Sequence, residues 1–205
     1  MLETTNLECV RGNRRLFKEI SFSVRPGDLF QLTGPNGSGK TSLIRMLCGL
    51  LPPTNGEICW QGTNISSLRE EYFSVVTYLG HRQGVKDELT VLENLRVSSG
   101  LSGIEITRKH ALDALTRMGL AEHENLPARL LSEGQRRRLA LTRLLVCRTT
   151  LWLLDEVLTS LDKAAVELIK SLIREHLAKG GMAIVATHHE MDLAAGRFQG
   201  IELAS

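Results

Sequence analysis

The sequence has little net charge, no long apolar run and no closely spaced cysteines. Its 25 lysine and arginine residues against 23 aspartate and glutamate residues give a formal net charge of +2, which is too small to indicate nucleic-acid binding. The most apolar stretch, residues 139–147, is interrupted by Arg143 and falls short of the roughly 18 apolar residues of a membrane helix. We therefore expect a globular chain that does not span a membrane.

Cysteine spacing and the first residues exclude further classes of protein. Cys9, Cys48, Cys59 and Cys147 form no C-x-x-C pair and no metal-ligand spacing, so reduced and mostly packed thiols are expected. For the same reason the sequence predicts no covalent haem site. The N-terminus has Glu3 early and no apolar signal region, so we expect no secretory signal and a cytosolic chain.

A glycine-rich turn, residues 34–41, is the feature around which the chain is organised. Its sequence is GPNGSGKT; a strand-like stretch, residues 30–33, precedes it, and residues 41–50 place apolar side chains on one helical stripe. A strand, such a loop and a helix in this order indicate a phosphate-binding loop, in which backbone N–H groups bind the β-phosphate of a nucleotide. An accidental match is the alternative, and the flanking elements disfavour it.

Individual loop residues have predicted parts in binding a nucleotide and Mg²⁺. Lys40 would reach the β- and γ-phosphates, and the Thr41 hydroxyl would hold Mg²⁺. The rest of the predicted phosphate cradle consists of Gly34, Pro35, Asn36, Gly37, Ser38, Gly39 and Ser42.

Apolar patterns elsewhere predict an α/β fold. Loose alternation over residues 1–24 predicts two or three strands, and residues 57–60 predict an edge hairpin. Helical periodicity between residues 89 and 131 predicts a small helical lobe. Buried strands are indicated by short apolar runs at residues 75–79, 151–154 and 182–186.

Candidate site residues stand at the ends of these elements. Asp155 and Glu156 end one buried run and His188 follows another, where open α/β sheets bind ligands and where buried acids are costly unless they serve a cation. Ser132 would be a helix N-cap, with Gln135 three residues later in the capping-box arrangement. Taken singly, His188 is explained as well by packing and Ser132 by capping.

The order of these motifs resembles that of the ATP-binding cassette (ABC) family. The phosphate loop, LSEGQ at residues 131–135, LLDE at residues 153–156 and the later histidine cover essentially the whole chain. The resemblance implies an α/β P-loop NTPase fold with an antiparallel β-subdomain and a small helical subdomain. It implies one domain over residues 1–205, divided into a catalytic core with the β-subdomain at about 1–80 and 149–205, and a helical lobe with the LSEGQ signature at about 81–148.

The resemblance also implies an ATPase and a role for each candidate residue. Asp155 would hold Mg²⁺ through water, Glu156 would act as the general base or orient the attacking water, and His188 would contact the γ-phosphate. The resemblance further implies a homodimer that encloses a pair of ATP molecules. In it, residues of one subunit complete the site over the phosphate loop of the other subunit; these residues are Ser132, Gly134 and Gln135.

Two positions depart from the family pattern. Arg11 stands where the family usually has an aromatic residue that stacks on adenine, and a guanidinium plane can stack on a base as well. His81 replaces the usual glutamine that helps to hold Mg²⁺ and links the site to the transport partner. A neutral imidazole there would bind a water or the metal and would make the link sensitive to pH near neutrality.

A narrower resemblance is to the ATPase subunits of bacterial haem exporters in cytochrome c maturation. It depends on Gly80-His81, on LTVLENL at residues 89–95, on ICWQG at residues 58–62 and on Trp152 before the acidic pair. It implies integral membrane permease partners, a peripheral position on the cytoplasmic face of the inner membrane, and ATP-driven release of a haem-loaded chaperone. It does not imply that this chain binds haem.

The sequence leaves two alternative functions open. One is an ABC subunit of another exporter, with the same chemistry and a different cargo. The other is a soluble ABC ATPase acting on DNA or ribosomes, in which residues 136–138, three arginines, would bind phosphates. Such proteins commonly carry a second cassette, a coiled coil or zinc cysteines, and on a helix those arginines point in different directions. We therefore expect no direct contact with nucleic acid.

Overall fold

The structure is a computed structural model that describes residues 1–80, 83–159, 161–188, 191 and 198–204. The strands are, in chain order, β1 (Leu2–Arg11), β2 (Arg14–Val24), β3 (Leu29–Thr33), β4 (Asn55–Trp60), β5 (Thr63–Asn64), β6 (Val76–Leu79), β7 (Leu151–Asp155), β8 (Met182–Ala186) and β9 (Phe198–Glu202). The helices are α1 (Lys40–Leu47), α2 (Ile65–Leu68), α3 (Glu70–Val75), α4 (Val91–Leu101), α5 (Arg108–Arg117), α6 (Glu133–Val146) and α7 (Lys163–Ala178). The described residues form two compact units, the first within 1–80, 149–157 and 170–205 and the second within 81–148 and 158–169.

The first unit contains an antiparallel four-stranded sheet with the order β2-β1-β4-β5. Strands β1 and β2 pair from Leu2 and Val24 at one end to Arg11 and Arg14 at the turn. Strands β4 and β5 form a hairpin at the edge of the sheet. The predicted strands over residues 1–24 and the predicted edge hairpin are therefore confirmed, with two strands in the first region.

A five-stranded parallel sheet, with the order β6-β7-β8-β3-β9, also lies in the first unit. Every residue of β7 and β8 is buried, which explains why both sequences are continuous apolar runs. Helix α1 packs on this sheet through a buried stripe that includes Leu43, Ile44 and Leu47. Because parallel strands align their carboxyl ends, the segments that follow β3, β7 and β8 emerge at one edge.

The second unit is helical, as its sequence pattern predicts. Helices α4, α5 and α6 bury apolar side chains that include Leu95, Leu115 and Leu139. Asn94, which is 7% exposed, donates to the carbonyl oxygens of Lys86, Leu89 and Thr90 and so fixes the loop before α4. Short 3₁₀ turns at Ala121–His123 and Ala128–Leu130 connect α5 to α6. Among the described helices, the structure has none long and apolar enough to cross a membrane.

Some elements differ from the sequence prediction. The helix expected over residues 41–50 ends at Leu47, and Gly49 beyond it has a left-handed φ of 71° that stops the helix. Helices α2 and α3 and strand β9 were not predicted. The two helices are too short to show a helical period, and β9 alternates between partly exposed and exposed residues at the edge of the sheet.

Candidate nucleotide site

The loop between β3 and α1 requires glycine where the chain reverses. Gly34 and Gly39 have φ values of 134° and 103°, which side-chain-bearing residues rarely adopt. A Cβ atom at Gly34 would collide with the carbonyl oxygen of Leu203, and one at Gly39 would lie 2.9 Å from the Phe17 ring. The backbone of the loop is therefore held close to its neighbours on both sides.

The inside of this loop presents polar groups that suit a phosphate. Lys40 is 6% exposed, and its Nζ donates to the carbonyl oxygens of Gly34 at 2.7 Å and Pro35 at 3.2 Å. Ser38 Oγ is buried and has no hydrogen-bond partner among the described residues. A buried hydroxyl without a partner is costly, and a phosphate oxygen would supply the missing acceptor. These residues fit a bound phosphate group.

Thr41 and Asp155 form the part of the site that fits Mg²⁺. Asp155 ends β7 and is 1% exposed. Thr41, in the first turn of α1, donates from Oγ1 to Asp155 Oδ1 at 3.2 Å. A carboxylate and a hydroxyl, completed by waters, are ligands that Mg²⁺ prefers. Both are held on rigid elements of the parallel sheet and its helix.

Glu156 and His188 meet at the same edge of the sheet. Strands β7 and β8 pair in register at Asp155 and Ala186, so the residues that follow them are neighbours. The Oε1 atom of Glu156 lies 3.3 Å from His188 Nε2 and 3.9 Å from Lys40 Nζ. Glu156 has a φ of 53°, and its N–H donates to the Ala186 carbonyl at 2.9 Å. Such a left-handed conformation outside glycine is costly and is typical of functional sites.

The second unit carries the other predicted residues, at the start of α6. Ser132 Oγ accepts from the Gln135 N–H at 3.2 Å, and Gln135 Oε1 accepts from the Ser132 N–H at 2.8 Å. The predicted capping box is therefore confirmed. Gly134 lies in the first turn, where a Cβ atom would meet nothing within 4 Å. The N-terminal turn of α6 thus combines a fixed cap with a glycine beside open space.

Three further predicted residues, Arg11, Ser42 and His81, are not among the contacts described above. Arg11 is exposed at the turn end of β1. Burial raises the pKa of the Cys9 thiol, and the Arg11 charge and a hydrogen bond with the Ser42 side chain oppose that shift. The Ser42 side chain therefore contacts strand β1. His81 lies outside the described residues, so its predicted role at the metal stays a prediction.

Two contacts of the loop were missed by the sequence analysis. The Leu203 carbonyl and the Phe17 ring lie against the loop glycines, yet both residues are distant from the loop in sequence. Alternation marks Phe17 as an inward-facing strand residue, but no sequence signal points from Leu203 to the loop.

We expect Gly34→Ala to weaken both folding and nucleotide binding. The new Cβ atom would collide with the Leu203 carbonyl and meet Ser38 Oγ at 2.9 Å, in a backbone conformation that costs about 1–3 kcal/mol for a residue other than glycine. Denaturant unfolding and titration with Mg-ATP measure the two losses. Gly37→Ala is the matched control, because Gly37 also has a positive φ of 83° but a Cβ atom there meets nothing within 4 Å. Equal losses in the free energy of unfolding of both variants, measured without nucleotide, would contradict the collision.

Comparison with known proteins identifies the family. A sequence profile described as "ABC transporter" matches residues 17–159. The chain is 61% identical over 191 residues to the "Cytochrome c biogenesis ATP-binding export protein CcmA" of Nitrosomonas europaea, covering 93% of this chain and 90% of that protein. It is 54% identical over 202 residues to the protein of the same name from Nitrosospira multiformis, covering 98% of each.

A solved structure supports the same assignment at the level of fold. The ATP-binding cassette MJ0796, in a dimeric post-hydrolysis state bound to ADP and Pi, matches with a TM-score of 0.80 and 23% identity, over 92% of this chain and 88% of that one. The fold is that of an α/β ABC nucleotide-binding domain. The profile match over most of its length, together with near-full-length similarity to the two export proteins, shows that this chain belongs to the ABC transporter family.

Proposed function

We propose that this chain is the ATP-hydrolysing subunit of an inner-membrane ABC complex that exports haem for cytochrome c biogenesis and drives release of a haem-loaded chaperone. One observation gives the main support for ATP hydrolysis: the Lys40 ammonium and the Glu156 carboxylate lie 3.9 Å apart where the phosphate loop meets the end of β7. The names of the relatives, export proteins of cytochrome c biogenesis, support the biological role.

The residues of the first unit divide the chemistry of phosphoryl transfer among them. Lys40 and the N–H groups of the loop bind the β- and γ-phosphates, and Thr41 and Asp155 hold Mg²⁺, which when bound neutralises charge on the phosphates. Glu156 orients the attacking water and accepts its proton, because its carboxylate is partly exposed, with 21% of the side chain accessible. His188, 3.3 Å from that carboxylate, contacts the γ-phosphate. Each group mainly positions a reactant or neutralises charge.

The start of α6 acts on the nucleotide of a second chain. Its N-terminal N–H groups carry a partial positive charge that suits a γ-phosphate, and the capping box fixes the turn that presents them. The cassette MJ0796 forms a dimer with ADP and Pi. We therefore propose a homodimer in which Ser132, Gly134 and Gln135 of each chain cover the phosphate loop of the other, and in which residues 1–205 act as one nucleotide-binding domain.

Integral membrane permease subunits complete the proposed complex. Both relatives are named export proteins, and export requires a path across the membrane that a partner supplies. ATP is held in the cytoplasm, so the chain would bind the permease peripherally on the cytoplasmic face of the inner membrane. Closure and reopening of the homodimer would transmit ATP hydrolysis to the permease.

Purification from native membranes tests the biological part of the proposal. A tagged full-length chain is isolated in mild detergent, its partners are identified by mass spectrometry, and haem absorption is recorded with and without Mg-ATP. We expect a permease in fixed ratio and a haem-carrying protein that leaves when ATP is hydrolysed.

A matched preparation of Glu156→Gln separates hydrolysis from binding. In that variant we expect the same partners, with the haem-carrying protein retained in the presence of Mg-ATP. An unrelated permease without haem would keep the ATPase mechanism and reject the role in cytochrome c biogenesis.

A further inference from the structure

The capping box at the start of α6 is connected to a histidine that the chemistry described above does not use. His123, at the end of the 3₁₀ turn Ala121–His123, lies 12 residues before Gln135 in the chain. The distance between Gln135 Nε2 and His123 Nε2 is 3.0 Å. At the other end of the same amide, Gln135 Oε1 accepts from the Ser132 N–H at 2.8 Å. The Gln135 side chain therefore bridges the ring of His123 and the backbone of Ser132.

This bridge determines which ring nitrogen of His123 carries the proton. Since Oε1 of Gln135 accepts from Ser132, the amide NH₂ faces the imidazole, and an amide nitrogen can only donate. His123 Nε2 must then accept, which places the proton of the neutral ring on Nδ1. The opposite tautomer would set one donor against another, or would require the amide to turn and give up its bond to Ser132.

The surroundings of His123 indicate that Nε2 is the ring nitrogen through which this side chain acts. Its N–H donates to the Leu120 carbonyl at 3.0 Å, and its carbonyl accepts from the Leu126 N–H at 2.9 Å, so the backbone that carries the ring is fixed. Nδ1 is buried and has no hydrogen-bond partner among the described residues. A buried polar atom without a partner lowers stability, and an apolar side chain would fill the space without that cost. The hydrogen bond made by Nε2 explains why a histidine is there.

We infer that His123 is a positioning residue for ATP hydrolysis, through its Nε2 acceptor. It holds the Gln135 amide, which holds the Ser132 N–H and thereby the orientation of the first turn of α6. This inference rests on the proposed function, in which that turn covers the nucleotide of a second chain. A residue that contributed only bulk would be replaceable by any side chain of similar size, whereas this role needs an acceptor at the position of Nε2, and kcat measured beside Mg-ATP affinity distinguishes it from a general loss of stability.

Three substitutions separate the hydrogen-bond acceptor from the bulk of the ring. In His123→Gln the side-chain oxygen can take the place of Nε2, whereas in His123→Asn the oxygen lies nearer the place of Nδ1. His123→Leu removes both. The full chain in its membrane complex is assayed for kcat and KM of ATP hydrolysis, and Mg-ATP affinity is measured separately for each isolated chain, where the partner's α6 does not contribute.

We expect His123→Asn and His123→Leu to lower kcat about tenfold, the effect of one lost hydrogen bond. His123→Gln should retain kcat within about twofold, which is the scatter of one such interaction. Mg-ATP affinity of the isolated chains should stay unchanged. NMR of the imidazole nitrogens of the wild type, with the His123 signal assigned from its loss in His123→Gln, should show a protonated Nδ1 and an unprotonated, hydrogen-bonded Nε2. This wild-type spectrum tests the geometry even where His123→Asn or His123→Leu folds poorly.

The outcomes separate this inference from the proposed function. Normal kcat in His123→Asn and His123→Leu, equal loss in His123→Gln and His123→Leu, or a proton on Nε2 would each overturn the role of His123 while the wild type still hydrolyses ATP. A wild-type complex that does not hydrolyse ATP would overturn the proposed function and, with it, this inference.

Discussion

Glu156→Gln is expected to abolish ATP turnover while leaving ATP binding intact. Asp155 is 1% exposed at the end of β7, whereas the Glu156 side chain is 21% exposed. The Glu156 carboxylate is thus the more accessible of the two to an attacking water, while Asp155 is bonded to Thr41, and this difference supports Glu156 as the proposed general base. Glutamine keeps the shape of the side chain but cannot accept a proton, and a general base typically contributes about 10²–10⁴-fold. We expect kcat to fall by that factor.

ATP binding should survive the substitution for an electrostatic reason. The carboxylate lies 3.9 Å from the Lys40 ammonium and repels the negatively charged phosphates. The amide removes that repulsion and leaves Lys40 to the nucleotide, so affinity should not fall. Phosphate release measures turnover, and equilibrium dialysis with labelled ATP measures binding.

A carboxylate away from the site provides the control. Glu71 is exposed on α3, and Glu71→Gln makes the same chemical change without touching the loop. Wild-type turnover is expected in that variant. Unchanged turnover in Glu156→Gln would remove Glu156 from the role of general base, and loss of ATP binding would show that its role is structural.

Lys40→Ala should weaken the binding of Mg-ATP itself. Lys40 is 6% exposed, and its ammonium donates hydrogen bonds to the carbonyl oxygens of Gly34 and Pro35, so it already lies inside the loop where the phosphates would be. Truncating one partner of a buried, hydrogen-bonded charge pair costs about 2–5 kcal/mol, equivalent to about a 30-fold to 5,000-fold higher Kd. We expect a loss of Mg-ATP affinity in this range, measured by calorimetric titration.

Two comparisons distinguish lost binding from a disturbed loop. Thermal unfolding without nucleotide reports the cost of losing the bonds to Gly34 and Pro35, and Lys109→Ala, at an exposed position of α5, controls for the loss of one positive charge. Lys40→Arg should recover only part of the affinity, because a planar guanidinium does not replace the compact ammonium. Normal ATP affinity in Lys40→Ala would count against the phosphate-loop interpretation.

The features that sequence predicted well depend on residues close together in the chain. The strand, the glycine-rich loop and the helix from residue 29 to residue 47 are contiguous, and each has its own local signal. The capping box of Ser132 and Gln135 spans a single helical turn. The continuous apolar runs of β7 and β8 marked them as strands buried on both faces. For such features the side-chain period and the local hydrogen bonds are sufficient.

Only the tertiary structure decided which distant segments meet. Sequence placed Asp155 and Glu156 at the end of a strand, but the order β6-β7-β8-β3-β9 is what brings them to Thr41, Lys40 and His188. The Leu203 carbonyl against Gly34 and the His123 ring against Gln135 left no local pattern either. Strand pairing and side-chain packing join residues far apart in the chain, and periodicity reports which face of an element is buried but not the partner it is buried against.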